Sequence, residues 1–183
     1  MAPDTSAEEY QTREERLEVA RRYRERRGRE LRELAQTAVD GEVEAAGEFS
    51  AVPTESLAAV PVVGMLMLPM ARRKARKLGL SPKLLLALDA EHLHALELQP
   101  TDMRRDHAEA SEMHSWPRAE VSIERAGRAL MRDKVLLHVP DRDEPITLFA
   151  PSLTTNPWSA EVVRLLGGEA PEPLDLSLEG PGA

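Results

Sequence analysis

The spacing of apolar residues changes once along this chain, at Pro82, and this change constrains the fold more than any other feature. Before Pro82, charged and apolar stretches favour helices. After it, short apolar runs such as LLLAL at 84–88 are bounded by turn residues, which is typical of strands. Strands in hairpin succession, preceded and followed by helices, predict an α+β protein built on an antiparallel sheet.

Residues 1–40 are predicted to form a long charged helix. Ser6 and Glu9 have the spacing of a capping box at its start. Its apolar seam is thin, because Arg24 and Arg27 occupy positions that a strong coiled coil would fill with apolar residues. Two interpretations follow. The helix is solvated and packs only its C-terminal end onto the domain, or it pairs with a partner protein.

Two segments separate this helix from the strands. Residues 41–56 are predicted to be a linker, because glycine and proline recur there. Residues 57–79 combine apolar and basic residues and are expected to be helical, with Gly79 as the stop. We expect the apolar part, 57–70, to pack over the sheet and to cover its second face.

A basic run closes the apolar–basic segment, although the chain as a whole has a net charge of −8. Its five cations are the candidate contact residues for lipid or for an acidic partner: Arg72, Arg73, Lys74, Arg76 and Lys77. The run is a solvated helix end, a docking surface for an acidic protein surface, or a membrane contact. An apolar stretch followed by cations has the composition of an interfacial anchor.

Residues 80–168 are predicted to form one α+β domain. We expect about five strands, at 84–88, 92–98, 119–124, 129–139 and 145–151, and then an amphipathic helix that Asn156 caps and Pro157 begins. Segment 99–114 is expected to be irregular, and Ala126-Gly127 is expected to be a turn. Residues 169–183 are rich in Pro, Gly and Glu and are predicted to be a disordered tail.

Four of these segments also support a family resemblance. They are the run ARRKARKLGL, the hairpin LLLALDAEHLHALEL, the strand WPRAEV and the helix SAEVVRLLG. Across about residues 55–168 the chain resembles uncharacterised actinobacterial proteins with a C-terminal pleckstrin-homology-like domain, similar to bacterial PH and GRAM domains. The resemblance implies an antiparallel partial barrel closed by the last helix; a full barrel of this kind has seven strands. It implies binding of phosphoinositides, peptides or proteins, and no reaction.

The histidines His92 and His94 are the best candidate metal ligands, since alternate residues of a strand lie on one face about 7 Å apart. A site needs a third ligand. Two candidates are near, His138 and Glu97, but the glutamate lies on the same strand as the histidines and points to the opposite face. We therefore predict two exposed polar positions and no metal site.

Other functional classes find little support. The chain has no cysteine, and it lacks the glycine-rich motifs of nucleotide sites, so we expect no cofactor. Asp106, His107 and Ser111 have the residue types of a triad, but nothing predicts their convergence, and we expect no catalytic residues. The negative net charge argues against nucleic acid as a partner. Trp116 and Trp158 are predicted to be core residues that lie near each other.

These observations predict a cytoplasmic, non-enzymatic binding or scaffold protein that contacts a partner protein through its charged helix and PH-like domain. No basic and apolar leader is present at the start, and the longest uncharged run is too short to span a membrane. The alternative is a peripheral membrane protein that docks on anionic lipid through residues 57–77.

Overall fold

The structure is a computed structural model that describes residues 13–51, 73, 75–100, 108–129 and 132–174. Within them the chain forms two α-helices and seven strands. In chain order they are α1 (Arg13–Gln36), β1 (Ala45–Ser50), β2 (Lys83–Leu88), β3 (His92–Pro100), β4 (Ala108–Pro117), β5 (Ser122–Ala129), β6 (Arg132–His138), β7 (Ile146–Pro151) and α2 (Pro157–Leu165). The predicted α+β class is confirmed, and so is the charged helix over 13–36. Residues 1–12, most of 57–79 and the tail beyond 174 lie outside the described residues.

The seven strands form one antiparallel sheet in the order β4-β3-β2-β1-β7-β6-β5. The number of strands among the described residues is seven, so the prediction of about five strands is wrong. The sheet is open, with β4 and β5 at its edges, and is not a closed barrel. One of the two missed strands, β1, lies inside the predicted linker 41–56, and the other, β4, begins inside the segment 99–114 that was expected to be irregular. All six residues of β1 pair with the leucine-rich β2. Tertiary pairing therefore produces this strand from the weak local sequence AAGEFS.

β2 is buried on both faces, as its continuous apolar run predicted. On one side Leu84, Leu86 and Leu88 belong to an interior core to which every strand contributes and which α2 covers. On the other side Leu85 and Ala87 belong to a second, smaller cluster. A strand between two apolar clusters buries the side chains on both of its faces, so apolar residues are favoured at consecutive positions.

α1 covers the second face of β2. Its buried residues Leu31 and Ala35 pack in the same cluster as Leu85 and Leu96. The C-terminal end of the charged helix therefore packs onto the domain, as one of the two interpretations predicted. The first half also makes a contact, since Tyr23 meets Trp158, and pairing with a partner protein stays a prediction. The segment 57–70, which we expected to cover this face, lies outside the described residues, so that expectation stays a prediction.

α2 begins at Pro157 as predicted, and Gly167, at φ +81°, follows its end. Asn156 does not cap the helix through its side chain. Its Nδ2 donates to the carbonyl of Ser152 at 2.9 Å. The helix lies directly on β1, where the hydroxyl of Ser159 donates to the carbonyl of Glu48 at 3.1 Å.

The close approach of α2 to β1 depends on Gly47. A Cβ at this position would lie 2.8 Å from the Cα of Ser159, whereas a Cβ at Gly28 in α1 would have nothing within 4 Å. We expect Gly47→Ala to lower the free energy of unfolding by about 1–3 kcal/mol, because the two backbones must move apart. Gly28→Ala is the control and should raise it by up to about 1 kcal/mol. Denaturant titration of both variants measures the difference, and equal effects would contradict this packing.

β5 corrects two further expectations. Ala126 and Gly127 do not form a turn but lie within the strand, where the pairing with β6 shifts between Arg125 and Arg128. Gly127 has φ +109°, a conformation that glycine adopts readily at a bulge. Ala119 is exposed within a short 3₁₀ helix, Arg118–Glu120, so the strand begins later than its alternating pattern suggested.

One buried charge connects β5, β6 and the loop after β7. The Asp133 side chain is 1% exposed, and its Oδ1 accepts hydrogen bonds from Nε and Nη2 of Arg125 at 2.9 and 2.6 Å. Its Oδ2 accepts the backbone N–H of Leu153 at 2.8 Å. The carboxylate is thus compensated by one guanidinium and one backbone donor.

Candidate contact surface and histidine cleft

The described part of the basic run lies at the surface. Arg73, Arg76 and Lys77 are exposed, while Ala75 between them is buried in the interior core. Gly79, at φ +68°, follows the helical residues 75–77, as the stop prediction required. The other two candidate cations, Arg72 and Lys74, lie outside the described residues. No helix in the described ranges is long and apolar enough to cross a membrane.

The first half of α1 is a more distinctive surface. Its residues Val19 and Tyr23 are 57% and 50% exposed, although both are large and apolar. The ring of Tyr23 meets that of Trp158 edge-on, with centroids 6.4 Å apart. Nη1 of Arg24 donates to the carbonyl of Leu174 at 2.8 Å, which brings this exposed leucine to the same side. Exposed apolar residues that cluster in this way mark interaction sites more often than isolated ones do.

A groove of about 210 Å³ runs beside this surface, between α1 and α2. We call it the α1–α2 groove; Arg24, Glu25, Gly28, Arg32, Ala46, Pro157, Trp158 and Glu161 line it. The indole Nε1 of Trp158 is buried and has no hydrogen-bond partner among the described residues. Both walls carry charged side chains around an apolar floor, which is the composition of a protein-contact groove.

The tryptophans were predicted to be core residues, and both are buried. We expected the two rings to lie near each other, but they belong to different apolar clusters. Trp116 belongs to the interior core, and its Nε1 donates to Asp141 at 3.1 Å. Trp158 belongs to the cluster under α1. It therefore does not share the core of Val162, and Leu165 on the same helix is 40% exposed.

A second candidate site lies at the turn between β2 and β3. We call it the histidine cleft, a cavity of about 670 Å³ lined by Ala38, Asp40, Gly41, Glu42, Asp89, Ala90, Glu91, His92, His94, Glu112 and Ser115. The rings of His92 and His94 lie with their centroids 5.8 Å apart, on one face as predicted. The expectation that both are exposed is wrong for His94, which is 7% exposed.

His94 lies between two carboxylates. Its Nδ1 is 2.5 Å from Oε2 of Glu112 on β4, and its Nε2 is 3.1 Å from Oδ2 of Asp89. Neither carboxylate was among the expected third ligands. His138 is instead on β6 beside Glu124, and Glu97 is outside the cleft lining. The spacing D-x-x-H-x-H was the available signal, because a turn aspartate three residues before a strand lies close to that strand's first histidine.

Asp89 is held in place by the turn itself. Its Oδ1 accepts the backbone N–H groups of Glu91 and His92 at 2.8 and 2.5 Å. Burial of Asp89 acts to raise its pKa, but these hydrogen bonds and the one with His94 outweigh burial, and the pKa is lowered. Because the pKa of Asp89 in the folded protein lies below its ordinary value of about 4, the carboxylate stabilises the fold at pH values above about 4. This stabilisation is lost as the pH falls through the lowered pKa of the folded state.

Of the three triad residue types, only Ser111 lies within the described residues, so their convergence is not tested. Ser111 lies exposed on the edge strand β4, and both Asp106 and His107 are outside the described residues. No protein-family model matches the chain. No curated protein matches it significantly in sequence. The surface and the cleft therefore have to be interpreted from their own chemistry.

Proposed function

We propose that this protein is a non-enzymatic binding module that contacts an acidic protein partner through the first half of α1 and the α1–α2 groove. The single observation that carries the proposal is the uneven burial of α1. Its second half is anchored through Leu31 and Ala35, while its first half exposes Val19 and Tyr23. Covering the sheet does not require the exposed apolar residues of the first half.

The charge of α1 indicates the kind of partner. Between Arg13 and Gln36 the helix has nine arginines and six glutamates, so it is positive in a protein whose net charge is −8. Some of these arginines are neutralised within the helix, as Arg22 is by Glu18 at 2.8 Å. The excess still favours an acidic surface, since complementary charge speeds association and selects among partners.

The PH-like interpretation of the strand domain is part of the proposal. Seven antiparallel strands followed by an amphipathic helix support it, because the resemblance implies these elements in this order, although the sheet is open and is not a closed barrel. A cytoplasmic location also belongs to the proposal. In this arrangement the sheet positions α1 and α2, and the helices make the contact.

One substitution tests the proposed surface. Val19→Asp places a negative charge in the exposed apolar patch and should reduce recovery of the co-purifying partner at least tenfold, measured by quantitative mass spectrometry of pull-downs. Leu165→Asp is the matched control, since Leu165 is also exposed but lies at the C-terminal end of α2, whereas Trp158 lies at its start. It should leave recovery unchanged. Circular dichroism should show both variants folded, because neither side chain belongs to a core cluster.

Two results would contradict the proposal. Equal recovery of the partner by wild type and Val19→Asp would exclude the α1 surface. Salt-sensitive co-sedimentation with anionic vesicles, abolished by charge reversal at Arg73, Arg76 and Lys77, would establish instead the membrane alternative through residues 57–77. The exposure of these three cations is the observation that supports that alternative. Screening by added salt is its signature.

A further inference from the structure

We propose that the histidine cleft binds one divalent transition-metal ion, with Asp89, His92 and His94 as ligands. Each of the three offers one ligand atom, and these atoms all lie within 4.8 Å of one another. Imidazole and carboxylate together suit Zn²⁺ and its first-row neighbours, and Zn²⁺ commonly has three such protein ligands. This site is separate from the contact surface on α1.

The distances fit a single ion after a small movement. Two ligands of one tetrahedral Zn²⁺, each about 2.0–2.2 Å from the metal, lie roughly 3.3–3.5 Å apart. Nε2 of His94 is 3.1 Å from Oδ2 of Asp89, and Nδ1 of His92 is 3.9 Å from Oδ1 of the same carboxylate. The two histidines face different oxygens of Asp89, and Oδ1 already accepts two backbone N–H groups, so an ion would lie between Oδ2 and Nε2 of His94. His94 and Oδ2 would separate slightly, and His92 would have to move towards them. The side chain of His92 is 41% exposed, so it can rotate without disturbing a core.

Glu112 supplies the outer contact that metal-binding histidines usually have. Its Oε2 lies 2.5 Å from Nδ1 of His94. When Nδ1–H donates to this carboxylate and the ion replaces the proton between Nε2 and Asp89, the lone pair of Nε2 is directed at the ion. A carboxylate in this position fixes the tautomer and the ring orientation of the ligand. Asp89 is fixed in turn by the two backbone donors of Glu91 and His92.

The surroundings of the three ligands also favour a cation. Asp40, Glu42 and Glu91 line the cleft, and its lining contains neither lysine nor arginine. Gly41 lies directly over the carboxylate of Asp89, where a Cβ would come within 2.5 Å of Oδ2. The absence of a side chain there is what allows the backbone at Gly41 to pack against Asp89. Three protein ligands leave one coordination position of a tetrahedral ion facing the cleft, available to water or to an exogenous ligand.

Calorimetric titration of the tag-free, metal-stripped full chain with Zn²⁺ tests the proposal. We expect one ion per chain and at least tenfold weaker binding by His92→Ala. His138→Ala is the matched control, because His138 is also a half-exposed strand histidine beside a carboxylate, with its Nε2 3.6 Å from Glu124. It should bind as wild type does. Absorption of the Co²⁺-loaded protein gives an independent readout, and its visible bands should be lost in His92→Ala.

Two outcomes would overturn the proposal. The first is no Zn²⁺ binding below about 100 μM by the wild-type chain. The second is equal affinity of wild type and His92→Ala, which would show that any bound metal lies elsewhere. Misfolding of the variant does not confuse the result, because His92 belongs to neither apolar cluster and a melting curve checks each protein before titration.

Discussion

Replacing Trp158 with alanine is expected to lower the free energy of unfolding by about 3–5 kcal/mol, the cost typical of removing a buried large aromatic side chain. Trp158 is 5% exposed and packs in the cluster under α1. It also meets the ring of Tyr23. The substitution therefore removes the contact through which α2 supports the charged helix, in addition to leaving a cavity.

Two companion variants make this result specific. Trp158→Phe should cost much less than Trp158→Ala, because Nε1 has no hydrogen-bond partner among the described residues and no bond is lost with it. Leu165→Ala on the same helix should change stability by less than about 1 kcal/mol, since Leu165 is already substantially exposed. Chemical denaturation followed by circular dichroism measures all three. A cost below about 1 kcal/mol for Trp158→Ala would show that the ring is not part of the core.

Arg125→Ala is expected to have the second large effect. It leaves the carboxylate of Asp133 buried, with the N–H of Leu153 as its remaining donor among those described. Breaking a buried ion pair costs about 3–5 kcal/mol. Because the Arg125 side chain is itself 36% exposed, we expect a smaller value, about 2–4 kcal/mol, after allowing for solvent screening.

The control for this prediction is a neighbouring arginine on the same strand. Arg128 is exposed and donates to the hydroxyl of Ser152 at 3.3 Å, so Arg128→Ala removes one weak surface contact. Its cost should stay below about 1 kcal/mol. If urea titration gives equal costs for both substitutions, the Arg125–Asp133 pair does not compensate a buried charge in solution.

Parts of the candidate sites could be predicted from the sequence. Periodicity placed His92 and His94 on one face, and the turn residues placed Asp89 just before them. Glu112 was not predicted as a partner, because β4 has too polar a sequence to indicate a strand. Its pairing with β3 depends on backbone hydrogen bonds along an edge. The contact surface also depends on a partner distant in sequence, because α2 brings Trp158 to Tyr23 from the other end of the chain.

The sequence by itself determined the elements whose local signals agree with their environment. These are the charged helix over 13–36, the doubly buried strand at 84–88, the hairpin after it and the helix that begins at Pro157. Each has a periodicity or a terminal residue that acts within a few positions of the chain. What only the tertiary structure decided involves partners distant in sequence. β1 becomes a strand because β2 pairs with it, and α1 packs on the second face of β2. Local spacing cannot show which distant surface will bury an apolar face, because burial depends on the whole chain.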